Sequence, residues 1–314
     1  MTDLTPLKGA WRPLAERSRN VFATWEWADT WWRHFGRGGE LRVTCERASF
    51  LLPLYVRRQG PFRVLRFVGH GHADELGPIG DRGRAAEAFG DVFAEGGFHL
   101  FLGEELTPGW DTLLGAHAVE RTSSPVIALD RTWDEYLAAR SANFRSQVRS
   151  AERRLENPAY RLTTPETLEA DLDTLFRLHR ARWPGSHWFA DAEAFHREFA
   201  AIALGRGWLR LWTLELGGKP AAAWLGYRFN GVESYYQAGR DPALQRERVG
   251  FVLLAHTIRE AIGDGMSEYR LLRGDESFKY RFATSDPGLE TLARPTGVVG
   301  RLALALRTVR RRAS

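Results

Sequence analysis

The chain has 314 residues, 44% of them apolar, and its twelve tryptophans exclude a disordered polypeptide; the length is about twice that of a common single domain and predicts two domains. A formal net charge of +5 over this length suits anionic small molecules such as nucleotide carriers and permits RNA without requiring it. Cys45 is the only cysteine, which excludes an internal disulfide and a cysteine-rich metal site and points to a reducing compartment.

Residues 1–20 lack the apolar centre of a signal peptide, and no stretch reaches the ~18 apolar residues of a membrane span, so a cytoplasmic protein is expected. An aromatic-rich helix is predicted over Trp25–Phe35. Strands follow at Leu41–Cys45, Phe50–Val56 and Phe62–Val68, then a helix near Arg84–Ala94 and a buried strand at Phe98–Leu102. Thr132 and Glu135 have capping-box spacing. A helix over Asn143–Glu156 places Phe144, Val148, Ala151 and Leu155 on one face, and Asn157-Pro158 stops it. Another spans Pro165–Trp183 and ends at Pro184-Gly185. A three-strand meander follows: Trp208–Leu216, Pro220–Phe229 and Val232–Ala238, joined by Gly217-Gly218 and Asn230-Gly231. Helix Gly250–Ile262 and strand Glu268–Arg273 complete the series. Both halves thus run helix, meander, helix, strand, which suggests a duplicated fold with its boundary near Ser123-Ser124-Pro125.

Four stretches carry groups suited to chemistry. Arg240, Arg246 and Arg248 precede a helix opening at Gly250, where amides and dipole favour an anion and glycine permits close approach. The same residues also read as a solvated loop–helix junction. In Tyr235-Tyr236-Gln237 neighbouring side chains point to opposite faces, so one tyrosine can pack while the other reaches a cleft as a proton donor. A cross-strand aromatic pair is the alternative. Asp275, Glu276 and Lys279 follow a strand directly, where the carboxylates can take a proton from an amine or cap a helix. His179 lies at helical spacing from Leu168, Leu172 and Leu175. It is either a hydrogen-bonded core residue or, with Arg182 and Trp183, part of an acceptor pocket.

Other features are less directed. Arg145, Arg149 and Arg153 share a flank with Glu152 and Glu156, which reads as an ion-paired surface or an RNA contact. The tail sets Val298, Leu302, Leu306 and Val309 against Arg301, Arg307, Arg310, Arg311 and Arg312, a pattern that docks on the body or touches anionic lipid. His70 and His72, with Asp74 and Glu75 behind, fall short of a convincing metal set, and no metal is expected.

Taken in order, Leu178-His179-x-x-Arg182-Trp183, Gly218-Lys219-Pro220-Ala221-Ala222, Tyr235-Tyr236-Gln237-Ala238-Gly239, Gly250-x-x-Leu253-Leu254 and Tyr269-x-Leu271-Leu272-x-Gly274-Asp275-Glu276-x-x-Lys279 resemble one family. It is that of the GNAT-type acyltransferases associated with bacterial cellulose and exopolysaccharide biosynthesis. Trp25-Glu26-Trp27, Trp31-Trp32 and Leu52-Pro53-Leu54 fit its N-terminal half. The resemblance implies a mixed α/β fold of two tandem GNAT-like domains, 1–125 and 126–290, each a mostly antiparallel sheet flanked by helices. A basic amphipathic tail, 291–314, would follow. The layout is related to Fem-type aminoacyl-tRNA-dependent peptidyltransferases.

The same resemblance implies acyl-CoA bound where two strands splay, with its pyrophosphate over a helix start. Here that assigns Gln237, Arg246, Arg248, Val249, Gly250 and Phe251 to the donor, His179, Arg182 and Trp183 to the acceptor, and Tyr236, Asp275, Glu276 and Lys279 to catalysis. The loop Arg246-Glu247-Arg248-Val249-Gly250-Phe251 departs from the usual Gln/Arg-x-x-Gly-x-Gly/Ala pattern: its arginine-to-glycine spacing is one residue longer and the second small residue is missing. Three readings follow: an N-acyltransferase moving an acyl group, expected to be acetyl, to an amine on a small molecule or saccharide; a Fem-type enzyme using aminoacyl-tRNA; or a scaffold that only binds.

Overall fold

The computed structural model describes residues 3–185 and 188–313, with side chains as far as Val309. The first elements are α1 (Lys8–Ser18), α2 (Trp25–Phe35), β1 (Gly39–Glu46), β2 (Phe50–Gln59), β3 (Phe62–Phe67), β4 (Ile79–Gly80), α3 (Arg82–Glu95), β5 (Leu100–Leu106) and β6 (His117–Thr122). Next come β7 (Val126–Ala128), α4 (Trp133–Ala138), α5 (Ala142–Arg153), β8 (Pro158–Leu162), α6 (Leu168–Arg182), α7 (Trp188–Asp191) and α8 (Glu193–Gly205). The meander is β9 (Leu209–Leu216), β10 (Lys219–Phe229) and β11 (Val232–Arg240). Then follow α9 (Val249–Gly263), β12 (Glu268–Arg270), α10 (Ser277–Phe282), β13 (Leu289–Pro295) and α11 (Gly297–Ala313).

Two units result. One takes the chain up to Ser124, Arg273–Asp275 and the segment from Asp286 onward; the other takes Pro125–Leu272 and Glu276–Ser285. Each is built on a mixed, mostly antiparallel sheet, as the α/β reading anticipated. The first sheet is ordered β1-β2-β3-β5-β13-β6, with β4 on β2, and the second β7-β12-β11-β10-β9-β8. Each contains one parallel pair, β3 with β5 and β11 with β12.

The meander forms for local reasons. Gly217 (φ 55°), Gly218 (φ 73°), Asn230 (φ 45°) and Gly231 (φ 78°) all adopt the left-handed backbone that tight two-residue hairpins need at both central positions. Apolar residues of α5 (Phe144, Val148, Ala151) and α9 (Val252, Leu254, Ile258) join Trp224 and Tyr269 of the sheet in one core. The Thr132–Glu135 capping box at α4 is present.

Some elements lie where the sequence did not place them. Helix α5 ends at Arg153, short of the expected Glu156, with Arg154 as its C-cap, and Pro158 opens β8, an edge strand whose first position tolerates a missing N–H. Helix α8 has no counterpart in the sequence reading. The segment from Asp286, read as the end of the second domain plus a tail, completes the first sheet. β13 pairs with β5 on one side and β6 on the other, which satisfies ladder groups that would otherwise be open. Helix α11 covers part of that sheet by packing Ala303 and Leu304 against Val64, Leu100, Leu102 and Ala293. Its Val298, Leu302, Leu306 and Val309 stay exposed. The side chains of Arg310, Arg311 and Arg312 lie outside the described residues. Among the described residues no helix is long and apolar enough to cross a membrane.

Gly239 sets the distance between β11 and α6. A Cβ there would stand 2.4 Å from the backbone nitrogen of His179 and 2.6 Å from the carbonyl carbon of Leu178. Gly239→Ala must therefore push helix and strand apart. It should destabilise the second unit by about 1–3 kcal/mol, the usual range for overpacking, seen as a lower urea midpoint; an unchanged midpoint would contradict the contact.

Candidate functional site

Strands β11 and β12 run parallel for three residue pairs, Val232–Ser234 against Glu268–Arg270. Beyond Ser234, β11 continues to Arg240 on its pairing with β10 alone, while Leu271 turns away to bond Pro125. The sheet therefore opens on one side of Tyr235–Arg240. A cavity of about 210 Å³ occupies this corner, lined by Trp224, Tyr235, Ala238, Gly239, Phe251, Leu253, Leu254 and Phe278, with Arg182, Arg240, Arg248 and Gly250 at its polar side.

An extra residue in β11 decides which side chains face it. The β10–β11 register shifts so that Leu225 faces Gln237 and Gly226 faces Tyr235, which leaves Tyr236 as the inserted residue. Past the bulge the alternation changes parity, so Tyr235 shares the cavity with Ala238 and Arg240. Tyr236 is buried on other contacts, its ring 5.6 Å from His196, 5.7 Å from Tyr227 and 6.4 Å from Phe189. The tyrosine that reaches the cleft is thus Tyr235, and Tyr236 is the one that packs.

Helix α9 opens onto the polar side. Its N-cap, Arg248, has left-handed backbone (φ 57°) and makes no side-chain cap. Of the first-turn amides, that of Phe251 already bonds the Arg248 carbonyl at 2.9 Å, so those of Val249 and Gly250 are the ones a ligand would use. A Cβ on Gly250 would lie 3.4 Å from Arg240 Cδ and 3.9 Å from Arg182 Nη1, so this turn looks onto two guanidinium side chains. Among the described residues no carboxylate lines the cavity beside the three arginines. Burial, then the nearby Arg182, lowers the proton affinity of Arg240; burial, then Arg281 and Arg154, does the same for Arg248. In both, neighbouring guanidinium groups add to the effect of burial, and an anion bound here would offset that repulsion.

Burial pushes Tyr235 up to about 12, Arg182 opposing and Glu276 adding to the rise. It stays protonated at neutral pH and acts as a hydrogen-bond donor. Glu276 is exposed at the N-cap of α10. Its Oε2 lies 3.0 Å from Nζ of Lys279, a buried ammonium that also donates to the Leu272 carbonyl at 3.3 Å. Asp275 is exposed and belongs to the segment grouped with the first unit.

The remaining expected site residues scatter. Arg182 lines the cavity and stacks on Trp183, which is 43% exposed. His179 is buried, bonded with Gln237 and packed 4.8 Å from Phe189, and neither His179 nor Gln237 lines the cavity. Val249 is buried in the core, and Arg246 is exposed away from the cavity. Residues the sequence reading passed over include Phe278, Trp224 and Gln245. Phe278 sits between the singled-out Glu276 and Lys279, and its aromatic type was the available signal. Arg145 bonds the carbonyls of Ala138 and Arg140 and so joins α4 to α5. In the first unit the His70 ring bonds the Tyr55 hydroxyl at 2.6 Å.

Residues 142–280, which contain this corner, match the family described as an acetyltransferase (GNAT) domain. No curated protein matches the sequence. Among solved structures the chain is similar to FemX at 10% identity and a TM-score of 0.67, over 92% of this chain and 96% of that one. It is also similar to the C-terminal domain of a putative lysylphosphatidylglycerol synthetase from Agrobacterium fabrum, at 14% identity and a TM-score of 0.59, over 87% of this chain and 90% of that one. L-PGS from Bacillus licheniformis follows at 13% identity and a TM-score of 0.57, over 85% and 88%. These likenesses establish a shared fold.

Burial also holds several histidines neutral. It lowers His179, His72 and His256 to about 4 and His70 to about 3. On unfolding each regains its ordinary value near 6.5, so between about 4 and 6.5 the unfolded chain binds more protons and stability rises with pH. The thermal midpoint should fall as pH drops from about 6.5 to 4.5, above the main range of carboxylate titration. His179→Gln should flatten part of that slope; a midpoint indifferent to pH across this window would contradict the neutral assignments.

Proposed function

We propose that the second unit is an N-acyltransferase that takes its acyl group from a phosphate-bearing thioester of the acyl-CoA type and passes it to an amine. One observation carries this reading: a cavity at the start of α9 is lined by three arginines and, among the described residues, no carboxylate, and continues into an apolar cleft where two strands part. Guanidinium groups and first-turn amides would hold the diphosphate. The thioester would extend along Tyr235–Gly239, whose amides on the open side suit the carbonyl oxygen as charge develops on it. The match of residues 142–280 to an acetyltransferase domain supports the same chemistry.

The chemical steps follow from the groups available. The amine nitrogen attacks the thioester carbon, and Glu276 takes the proton that nitrogen loses. As the C–S bond breaks, the electron pair goes to sulfur. A tyrosine near 12 is a weaker acid than a thiol, so Tyr235 donates a hydrogen bond to the leaving thiolate and the proton comes finally from water. Lys279 fixes Glu276 by their 3.0 Å contact and stands as a positioning residue. Holding the two reactants together supplies most of the acceleration.

A second reading has a specific observation in its favour. Arg154 and Arg281 add to the field at Arg248, so positive charge extends past the cavity lining, as a polyanionic donor such as aminoacyl-tRNA would use. FemX and the lysylphosphatidylglycerol synthetases share the fold without deciding between donors.

Titration with acetyl-CoA and assay against a panel of amines separate the two. Under the first reading acetyl-CoA binds, Arg240→Gln weakens it about tenfold, the loss of one charge-assisted hydrogen bond, and activity is indifferent to RNase. Tyr235→Phe should lower kcat about a hundredfold with little change in KM, whereas Tyr236→Phe should leave both close to the parent values. Absence of acetyl-CoA binding, with RNase-sensitive activity and a steep salt dependence, would replace the first reading by the second.

A further inference from the structure

The first unit has a cavity of its own, of about 580 Å³, where its parallel strands part. β3 and β5 pair through only Val64–Leu100 and Leu65–Phe101. On the face carrying Phe67 and Phe101, Phe101 packs on Phe89 of α3. The opposite face changes character along both strands: Phe62, Val64 and then Arg66 on β3; Leu100, Leu102 and then Glu104 on β5. Helix α11 covers the apolar end. The charged end is left concave, edged by Gln59, Glu120, Thr291 and Arg307.

Two observations separate this corner from an ordinary sheet surface. First, charges are buried on a sheet face where apolar residues would stabilise more: Arg66 and Glu105 are each only 8% exposed. Second, β5 bulges there. Glu290 faces Leu106 while Leu292 faces Gly103, so β5 holds one extra residue, and Glu105 takes left-handed backbone at φ 59°. That conformation costs a non-glycine residue about 1 kcal/mol. The bulge brings the sequence neighbours Glu104 and Glu105 to the same cavity, against the alternation of a regular strand.

The charges balance. Arg66 pairs with Glu104 and bonds Gln59 at 3.1 Å; Arg273 bonds Glu105 at 2.7 Å. Arg307 Nη2 stands 3.7 Å from both Glu104 Oε1 and Glu120 Oε2, beyond direct hydrogen bonding and suited to a bridging hydroxyl. Carboxylates only accept and guanidinium groups only donate. A hydroxyl does both and can enter between such partners without upsetting their balance. A net anion or cation would leave one set of buried charges uncompensated. The adjoining Phe62, Leu102 and Leu306 offer an apolar wall to the ring face of the same ligand.

We propose that this cavity binds an uncharged polyhydroxylated ring, such as a pyranose or a cyclitol, through the Arg66–Glu104, Arg273–Glu105 and Arg307–Glu120 groups. The assignment is independent of the donor chemistry proposed for the second unit.

Saturation-transfer NMR on the full chain tests it with methyl β-glucopyranoside, myo-inositol, glucose 6-phosphate and alanine at millimolar concentration. A neutral ring should bind in preference to the phosphate and the zwitterion. Arg307→Met and Glu120→Gln should each weaken it at least tenfold, and Leu306→Trp, which adds bulk at the wall and leaves every charge in place, should abolish it; thermal unfolding identifies variants that keep the parent fold. The proposal is overturned if neither neutral ring binds, if glucose 6-phosphate or alanine binds more tightly, or if folded variants bind like the parent.

Discussion

The short parallel contact between β11 and β12 is the constraint on which the second unit's chemistry depends. Three residue pairs are enough to place α9 as a crossover between neighbouring strands, and too few to keep the strands together as far as Arg240. Had the ladder continued, the amides of Tyr235–Arg240 on that side would be committed to β12 and the corner would be closed. Gly239 makes the arrangement possible from behind, because only a residue without Cβ lets α6 lie against this part of β11. Close packing on one face and an open edge on the other are two consequences of the same short strand.

Charge around the α9 start reinforces that geometry. Guanidinium groups can be held near one another at a protein surface, but the lowered proton affinity of Arg240 and Arg248 follows first from partial burial and then from other arginines, Arg182 beside Arg240 and Arg281 and Arg154 beside Arg248. Ion pairs are plentiful elsewhere in the unit: Arg228 is paired with both Glu233 and Asp264, and Arg197 with Glu169, Asp173 and Glu193. Among the described residues the cavity lining departs from this habit, having arginine without carboxylate. Such a field contributes little to folding and much to holding an anion.

How far the sequence could reveal this depends on the range of the interactions involved. Hairpins at Gly217-Gly218 and Asn230-Gly231, the capping box at Thr132 and the amphipathic helices are local, and they were legible. The arginines before a glycine-led helix also form a local pattern, of which Arg240 and Arg248 line the cavity and Arg246 does not. Tyr235 and Tyr236 could not be sorted: their facing depends on a bulge defined by the partner strand β10, not by β11 itself. β13 was hidden for a similar reason. Its partners β5 and β6 lie more than 160 residues earlier, and nothing near Leu289 specifies them. Phe278 was missed because attention to titratable groups passes over the apolar residue between them.

The two sheets share one feature of layout and differ in what lines it. Each is interrupted beside its parallel pair, and each interruption leaves a cavity with strand-borne side chains on its walls. What differs is charge. In the second unit three arginines and, among the described residues, no carboxylate line the cavity, a lining suited to an anion. In the first unit arginines and glutamates are interleaved across β3, β5, β6 and α11, so a net charge gains nothing on entry. Strand divergence provides the space in both. The sign and pairing of a few side chains then decide what the space can hold, and this is why the shared fold alone does not identify a substrate.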